Sequence, residues 1–449
     1  MPSNDFDLAP EVWPQTATRN SAGEMEVGGV SVSELARKFQ TPLYIFDEAD
    51  VRTRALAYKS AFSLGDIETE IFYAGKAFMA TKVIRWIAES GLGVDVCTGG
   101  ELAVALRAGV SADRILFHGN NKSAEELEQA ISAGVGRIVV DSFQEISRLA
   151  NVASELGVTA QILIRLTVGV EAHTHEYIAT AHEDQKFGFS VASGDALEAA
   201  KLVIESDSLS LLGLHSHIGS QIFDASGFEV AAHRVMQMAA LIRDELDFTV
   251  TEINLGGGMG IAYISGDDPL EIAQMAQALH QIVRDECVAL NFPIPRLLVE
   301  PGRAIVGPAG ITLYEVGTIK NVEFDAGQNR RYISVDGGMS DNIRTALYEA
   351  EYSVALASRH SSATAVASRV VGKHCESGDV VVSDAQLPSD IEPMDLIAVA
   401  ATGAYCRSMS SNYNFVVRPA VVGVKDGQVQ VIIRRETIED LLKLDSGNE

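Results

Sequence analysis

The chain has 449 residues, of which 47% are hydrophobic and 21% are charged; these values are typical of a globular protein larger than one ordinary domain. Its formal net charge of -26 repels nucleic acid and anionic membranes, so we expect neither as a partner. No apolar run is long enough to cross a bilayer, and the N-terminus lacks the basic start and apolar core of a signal peptide. We therefore expect a cytoplasmic protein of two domains.

The N-terminal segment precedes a repeating pattern of strands and helices. Residues 1–25 are polar and irregular, and PLYIFDEADVRTRALAYKSAF (42–62) predicts a strand and a helix. Eight short apolar runs then alternate with helical patterns. The runs are IFYA at 71, GVDV at 93, ILFHG at 115, RIVVD at 137, QILIRL at 161, LLGLHSH at 211, INLGGG at 253 and RLLVE at 296.

Continuous apolar strands that alternate with helices indicate a parallel sheet. Eight such units match a (β/α)8 TIM-like barrel, which typically takes about 250 residues, and a doubly wound open sheet is the competing layout. After Gly307 the pattern changes to alternating strands separated by turns such as KDGQ, which predicts an antiparallel, β-barrel-like domain. We place the barrel at 46–308 and the β domain at 309–449.

Polar residues follow the apolar runs. In a barrel of this kind the catalytic groups lie at the C-terminal ends of the strands, so these residues should converge on one rim. They are Lys76, Asp95, His118, Asn120, Asp141, Arg165, His215, His217, Gly256, Gly257, Gly258, Glu300 and Arg303. The four cysteines lie far apart, without Cys-x-x-Cys, and the His-rich stretches HSHIGSQI (215–222) and EAHTHEYIATAH (171–182) lack recognisable metal-ligand spacing. We expect no metal and no disulfide framework.

Two motifs near the last runs have a functional and a structural interpretation each. The glycines of NLGGGMGI (254–261) would let backbone N–H groups approach a phosphate, but for three glycines taken alone a tight rim turn is the favoured explanation. Their spacing is not that of a dinucleotide fold. In EPGRAIVG, Glu300 could hold a pyridinium N–H and Arg303 a phosphate or carboxylate, whereas the alternative is a structural ion pair. His217 could stack on a flat cofactor or be a hydrogen-bonded rim histidine.

The β domain contains two further motifs. In HCESGD (374–379), Cys375 lies between His374 and Glu376 just before a turn, so a reactive thiol competes with the usual buried cysteine. GAYCRSMSSNYN (403–414) is rich in Gly, Ser and Asn and carries Tyr405, a composition that predicts a functional loop.

In chain order the motifs YAGKAF, HSHIGSQI, NLGGGMGI, EPGR, CESGD and GAY resemble the fold-type III pyridoxal-phosphate decarboxylases, over about residues 42–422. The resemblance implies pyridoxal 5'-phosphate as cofactor, a barrel plus a β domain that also takes in residues 1–45, and a homodimer with active sites at the interface. It implies catalytic roles for Lys76, which holds the cofactor covalently, and for Cys375, which donates a proton. The other cofactor-binding residues would be Asp95, His217, Ser220, Gly256, Gly257, Gly258, Glu300, Gly302, Arg303 and Tyr405, and the substrate-binding residues Arg303, Arg344, Tyr348, Glu376 and Tyr405.

Within this family the motifs are most similar to the branch that decarboxylates meso-2,6-diaminopimelate to L-lysine and CO2, the last step of lysine biosynthesis. An ornithine or arginine decarboxylase is the alternative, but those substrates end in a cation. Arg344, Tyr348 and Glu376 together favour a substrate with a zwitterionic end. A non-catalytic relative that binds the cofactor, and an alanine racemase, are the remaining alternatives.

Overall fold

A computed structural model describes residues 8–169, 186–324 and 328–447. The His-rich stretch at 171–182 lies outside these residues. None of the helices in the described part of the chain combines the length and the apolar character needed to cross a bilayer.

The strands of the described residues are, in chain order, β1 (Thr18–Arg19), β2 (Met25–Val27), β3 (Val30–Ser31), β4 (Leu43–Asp47), β5 (Thr69–Ala74), β6 (Gly93–Val96), β7 (Ile115–Phe117), β8 (Arg137–Val140), β9 (Ala160–Thr167), β10 (Phe189–Ser190), β11 (Leu209–His215), β12 (Glu252–Asn254), β13 (Arg296–Val299), β14 (Gly310–Phe324), β15 (Gln328–Val335), β16 (Val354–Leu356), β17 (Ala365–Val371), β18 (Val380–Pro388), β19 (Leu396–Val399), β20 (Ala420–Lys425) and β21 (Gln428–Ile433).

The α-helices are α1 (Val32–Phe39), α2 (Glu48–Phe62), α3 (Thr81–Glu89), α4 (Gly99–Ala108), α5 (Ala124–Ala133), α6 (Phe143–Leu156), α7 (Asp195–Ile204), α8 (Ser226–Leu246), α9 (Ile272–Ala289), α10 (Arg303–Val306), α11 (Arg344–Tyr348) and α12 (Ile438–Leu442). Short 3-10 turns occur at Gly75–Ala77, Ala112–Arg114, Arg407–Met409 and Tyr413–Phe415.

One compact unit comprises residues 54–260 and 269–302 and contains a closed parallel barrel. Its strands follow the order β9-β11-β12-β13-β5-β6-β7-β8, and β8 pairs with β9 to close the ring. All eight apolar runs are strands of this barrel, so the prediction of a (β/α)8 fold is confirmed and the open sheet is wrong. The runs were readable because barrel strands are buried on both faces and become continuously apolar. Five buried side chains from the barrel strands form one hydrophobic cluster, namely Phe72, Leu116, Val139, Leu163 and Leu298.

Capping residues explain where several barrel helices begin and end. Ser123 caps α5 in a capping box with Glu126, and Ser142 caps α6 through the N–H of Glu145. Helices α4, α5 and α6 all end at a glycine in the left-handed conformation. These short, defined connections bring each chain segment back to the next strand of the barrel.

The other compact unit comprises residues 1–53, 261–268 and 303–449, as far as they are described, and contains a β sheet. The main strand path is β18-β17-β15-β14-β4-β20-β21, with β19 pairing both β14 and β16. Most pairs are antiparallel as predicted, but β15 with β17 and β4 with β20 are parallel. The sheet is therefore mixed: neither parallel pair is joined by a hairpin, a connection that would require antiparallel strands.

Candidate active site

Lys76 lies in the turn Gly75–Ala77 that directly follows β5, and its side chain is exposed. A Cβ on Gly75 would lie 2.7 Å from the carbonyl oxygen of Asp95, at the end of the neighbouring strand β6. A Cβ on Gly302 would lie 2.9 Å from the Cβ of Ala74. Small residues are therefore needed here for close backbone packing between strand ends, and this packing fixes the turn that carries the lysine.

Glu300 is a buried carboxylate that accepts several hydrogen bonds at the same rim. Its Oε1 lies 2.8 Å from His118 Nε2 and 2.7 Å from Asn254 Nδ2, and His215 Nε2 lies at 3.5 Å. Since a carboxylate only accepts, the proton between His118 and Glu300 belongs to the imidazole nitrogen. The rings of His118 and His215 meet edge to face with their centroids 4.6 Å apart. The four side chains come from four different strand ends.

The electrostatics of this cluster favour an ionised Glu300 beside a neutral His215. Burial by itself would raise the pKa of Glu300, but its interactions with His118 and His215 hold that pKa well below the usual value. Burial lowers the pKa of His215 to about 4, so the ring is neutral at pH 7 and offers a dipole, not a charge, to Glu300. The N–H groups that His118 and Asn254 donate to Glu300 therefore stabilise its ionised carboxylate.

Asp95 is the penultimate residue of β6 and lies close to this cluster. The carboxylate is buried, and its Oδ1 lies 3.8 Å from His118 Nε2. Among the described residues no donor hydrogen-bonds that oxygen. Burial raises the pKa of Asp95 to about 7, although His118 acts in the opposite direction. Asp95 is thus a buried carboxylate that has kept unused hydrogen-bonding capacity.

Ligand atoms of His118, His215 and Glu300 lie within 4.8 Å of one another, which is close enough for three metal ligands. The Nε2 of His118 carries a proton directed at Glu300, however, and a metal ligand must present a lone pair instead. The arrangement as it stands is a hydrogen-bonded cluster around one anion.

The three glycines after β12 form a backbone surface without side chains. Gly256 and Gly258 have φ values of +71° and +109°, which favour glycine. A Cβ on Gly257 would lie 2.0 Å from the carbonyl oxygen of Glu300, and one on Gly258 would lie 2.4 Å from that of Gly219. This close approach brings the loop that carries Ser220 alongside the glycines. A backbone of this kind suits contact with a phosphate.

His217 is half-buried next to the glycines, and its Nδ1 would lie 3.0 Å from a Cβ on Gly256. Burial, together with the nearby positive charge of Lys76, holds the pKa of His217 well below its usual value. The half-buried ring is therefore neutral, which suits stacking on a flat ligand.

The unit with the β sheet contains a second cluster, built around two buried arginines. The hydroxyl of Tyr263 accepts hydrogen bonds from Nη1 of Arg303 and, at 2.9 Å, from Nη1 of Arg344. Arg344 Nη1 also lies 2.6 Å from the hydroxyl of Tyr352, and Arg303 lies over the ring of Tyr405 at 4.7 Å from its centroid. Tyr405 adopts a left-handed φ of +64°. Two cations thus lie around a group of neutral aromatic side chains, an arrangement suited to binding an anion.

Cys375 and Glu376 lie exposed in the turn between β17 and β18. Asp379 anchors this turn, because its carboxylate accepts the N–H of His374 at 2.7 Å and that of Met339 at 2.6 Å. The imidazole of His374 adds a contact of 2.8 Å to the hydroxyl of Ser340. The turn therefore holds an exposed thiol in a defined position.

The structure brings most of the predicted residues of each unit together. Arg303, Arg344 and Tyr405 surround the same cluster, whereas Tyr348 is 61% exposed at the end of α11. Within the described chain, no hydrogen bond or ion pair joins Cys375 or Glu376 to the Arg344 cluster.

Five residues that complete these clusters had no specific role assigned from the sequence, although His118 and His215 were expected to lie at the barrel rim. Two of them, His118 and His215, ended predicted strands, and Asn254 and Tyr263 lie in or just after the motif NLGGGMGI. Tyr352 had no sequence signal, because its role depends on contact with Arg344 in the folded chain.

A model of the family "Pyridoxal-dependent decarboxylase, pyridoxal binding domain" matches residues 48–307. The chain is 56% identical over 445 residues to the diaminopimelate decarboxylase of Mycobacterium tuberculosis (strain ATCC 25618 / H37Rv), covering 98% of both chains. It is 45% identical over 430 residues to that of Bacillus subtilis (strain 168), covering 96% of this chain and 97% of the relative. The chain belongs to the diaminopimelate decarboxylase family.

Solved structures agree with this membership. The diaminopimelate decarboxylase of M. jannaschii in complex with L-lysine superimposes with a TM-score of 0.89 at 33% identity, covering 96% of this chain and 98% of the other. A lysine/ornithine decarboxylase of Vibrio vulnificus gives a TM-score of 0.72 at 21% identity, covering 88% and 97%, and this likeness concerns the fold alone.

The barrel residues fit pyridoxal phosphate, the cofactor that the family binds. Glu300 offers an anion for a ring nitrogen, the neutral His217 a stacking face, and the glycines a backbone without Cβ atoms for the phosphate. Lys76 places a primary amine in the turn after β5.

Proposed function

We propose that this protein decarboxylates meso-2,6-diaminopimelate to L-lysine and CO2 with pyridoxal phosphate as cofactor. The observation that carries the choice of substrate is the pair of buried arginines that share the hydroxyl of Tyr263. A substrate that ends in a cation, such as ornithine or arginine, would meet like charge there. Diaminopimelate ends in a second amino-acid group, whose carboxylate suits Arg303 and Arg344.

In the barrel, the proposed roles follow from the chemistry of each group. Lys76 holds the cofactor, and His217 stacks on its ring. The phosphate is lined by Gly256, Gly257, Gly258, Gly302 and Ser220. Asp95 also binds the cofactor. When bound, the cofactor accepts the electron pair that departing CO2 leaves behind. Glu300 keeps a proton on the pyridine nitrogen, because the ionised carboxylate stabilises N–H at that atom.

In the β-sheet unit, Arg303, Arg344, Tyr348 and Tyr405 bind the substrate's non-reacting end, and Arg303 and Tyr405 also contact the cofactor. Glu376 binds the ammonium group of that end, and Cys375 Sγ delivers a proton to the carbon that has lost CO2. The exposed, anchored turn that carries Cys375 supports a role in a neighbouring subunit's site. We accordingly propose a cytoplasmic homodimer with shared sites, and a functional division at 1–45, 46–308 and 309–449.

The decisive experiment is to mix the purified protein with pyridoxal phosphate and meso-diaminopimelate, and to measure CO2 and L-lysine. We expect both products in equal amounts, and little CO2 from ornithine or arginine. Turnover of ornithine in preference to diaminopimelate would contradict the proposed substrate. A protein that takes up cofactor, seen by its absorbance near the visible edge, but turns over none of these substrates would be a non-catalytic relative.

A further inference from the structure

The Tyr263 hydroxyl is shared by two buried arginines of the β-sheet unit, Arg303 and Arg344. It accepts from Nη1 of Arg303 and, at 2.9 Å, from Nη1 of Arg344. The two guanidinium groups lie 5.7 Å and 5.0 Å from the centroid of the same tyrosine ring. A single side chain therefore contacts both guanidinium groups.

The backbone of Tyr263 is fastened from both sides. Its N–H donates to Asp267 Oδ2 at 2.8 Å, and its carbonyl oxygen accepts the N–H and the hydroxyl of Ser353 at 3.0 Å and 2.9 Å. Its ring is 5% exposed and packs edge to face on Tyr352, with centroids 5.2 Å apart. The hydroxyl is thus held at a fixed point, as a group that aligns other side chains requires.

In the part of the chain that the structure describes, no carboxylate pairs with the charge of Arg344. The side chain is 6% exposed, and within the described residues its hydrogen-bond partners are the hydroxyls of Tyr263 and Tyr352. Burial holds the pKa of Tyr352 well above its usual value, so that phenol is neutral. A buried guanidinium among neutral acceptors is ready for an external anion.

We propose that Tyr263 is a positioning residue for substrate recognition: its hydroxyl spaces Arg303 and Arg344 so that both reach one carboxylate, that of the amino-acid end that does not react. The inference rests on the proposed function and adds a residue that contacts the arginines, not the reacting atoms. L-lysine retains this carboxylate and cadaverine lacks it. Comparing the affinities for the two molecules therefore distinguishes recognition of the carboxylate from general effects of a substitution on the site.

The test is Tyr263→Phe in the cofactor-loaded enzyme, which keeps the ring and removes the hydroxyl. Losing a hydrogen-bond partner of a charged group should raise KM for meso-diaminopimelate about tenfold, with kcat nearly unchanged. By calorimetry, affinity for L-lysine should fall by a similar factor, and affinity for cadaverine should stay the same. Tyr332→Phe in β15 is the matched control and should match the parent in all three measurements.

Unchanged KM and lysine affinity in Tyr263→Phe would overturn the proposal, and so would an equal loss for lysine and cadaverine. If thermal melting shows that Tyr263→Phe does not fold, Asp267→Asn takes its place, because it loosens the backbone of Tyr263 and should raise KM for meso-diaminopimelate. Unchanged KM and lysine affinity in Asp267→Asn would equally overturn the proposal. A parent enzyme that does not turn over meso-diaminopimelate would refute the proposed function instead, and the lysine-cadaverine comparison would still decide the role of Tyr263.

Discussion

Asp95 illustrates at the scale of one residue how burial and function conflict. Its Oδ1 is buried without a hydrogen-bond donor among the described residues, and it lies near the Glu300 anion. Leaving a buried acceptor unsatisfied costs stability, so the position is not explained by folding alone. This cost is consistent with the proposed role of Asp95 at the cofactor.

The pKa of Asp95 leads to a prediction on stability. That pKa is about 7 in the folded chain against an ordinary 3.8, so the contribution of Asp95 to stability is complete below the ordinary value and is lost as the pH rises through about 7. Asp95→Asn should therefore stabilise the cofactor-free protein at pH 8, by at most about 4 kcal/mol, and much less near pH 4. Urea unfolding at several pH values measures the difference.

The matched control is Asp207→Asn, which makes the same change of charge at an exposed position of the same unit. It should show no such pH-dependent gain. A stability difference for Asp95→Asn that is the same at pH 5 and pH 8 would contradict the assigned titration.

Residue types at strand ends were readable from the sequence, but their partners were not. Lys76 and Glu300 stood out because each follows an apolar run. That His118 and Asn254 both donate to Glu300 depends on which strand ends face one another across the barrel. No spacing along the chain contains that information.

At the scale of elements, the turn between β17 and β18 shows how an exposed group is held in place. Asp379 fastens the turn through two backbone N–H groups, and a Cβ on Gly338 or Gly372 would come within 2.4 Å or 2.3 Å of its carboxylate. The motif HCESGD indicated the turn and its cysteine. The motif also contains Asp379, but Gly338 and Met339, which make room for its carboxylate and donate to it, lie far earlier in the chain, so its role as an anchor could not be inferred from the motif.

Asp379→Asn should slow turnover without preventing cofactor binding. An amide offers a single oxygen, so one of the two N–H groups would lose its acceptor, at a cost of about 1.5–3 kcal/mol. If Cys375 delivers a proton, we expect kcat to fall several-fold while the absorbance of the bound cofactor stays unchanged. Asp384→Asn, at an exposed position of β18, is the control. Wild-type kcat in Asp379→Asn would show that the anchor does not matter.

At the scale of the whole molecule, a homodimer with shared sites can be tested by mixing inactive variants. Lys76→Ala and Cys375→Ala should each be nearly inactive alone. If Lys76 of one subunit works with Cys375 of the other, a mixed dimer contains one intact site, and random equal mixing should restore about a quarter of the activity. Differently tagged subunits would verify that exchange occurs. Mixed dimers without activity would contradict shared sites.

The sequence by itself determined the barrel, because eight strands buried on both faces leave eight apolar runs in the chain. It also indicated the cofactor, through the resemblance of its motifs, in chain order, to the fold-type III pyridoxal-phosphate decarboxylases. Only the tertiary structure decided the parallel pairing of β4 with β20, the Glu300 hydrogen bonds and the sharing of Tyr263 by two arginines. These contacts join residues far apart in the chain, and their geometry depends on how whole elements pack, whereas strand and motif signals are local.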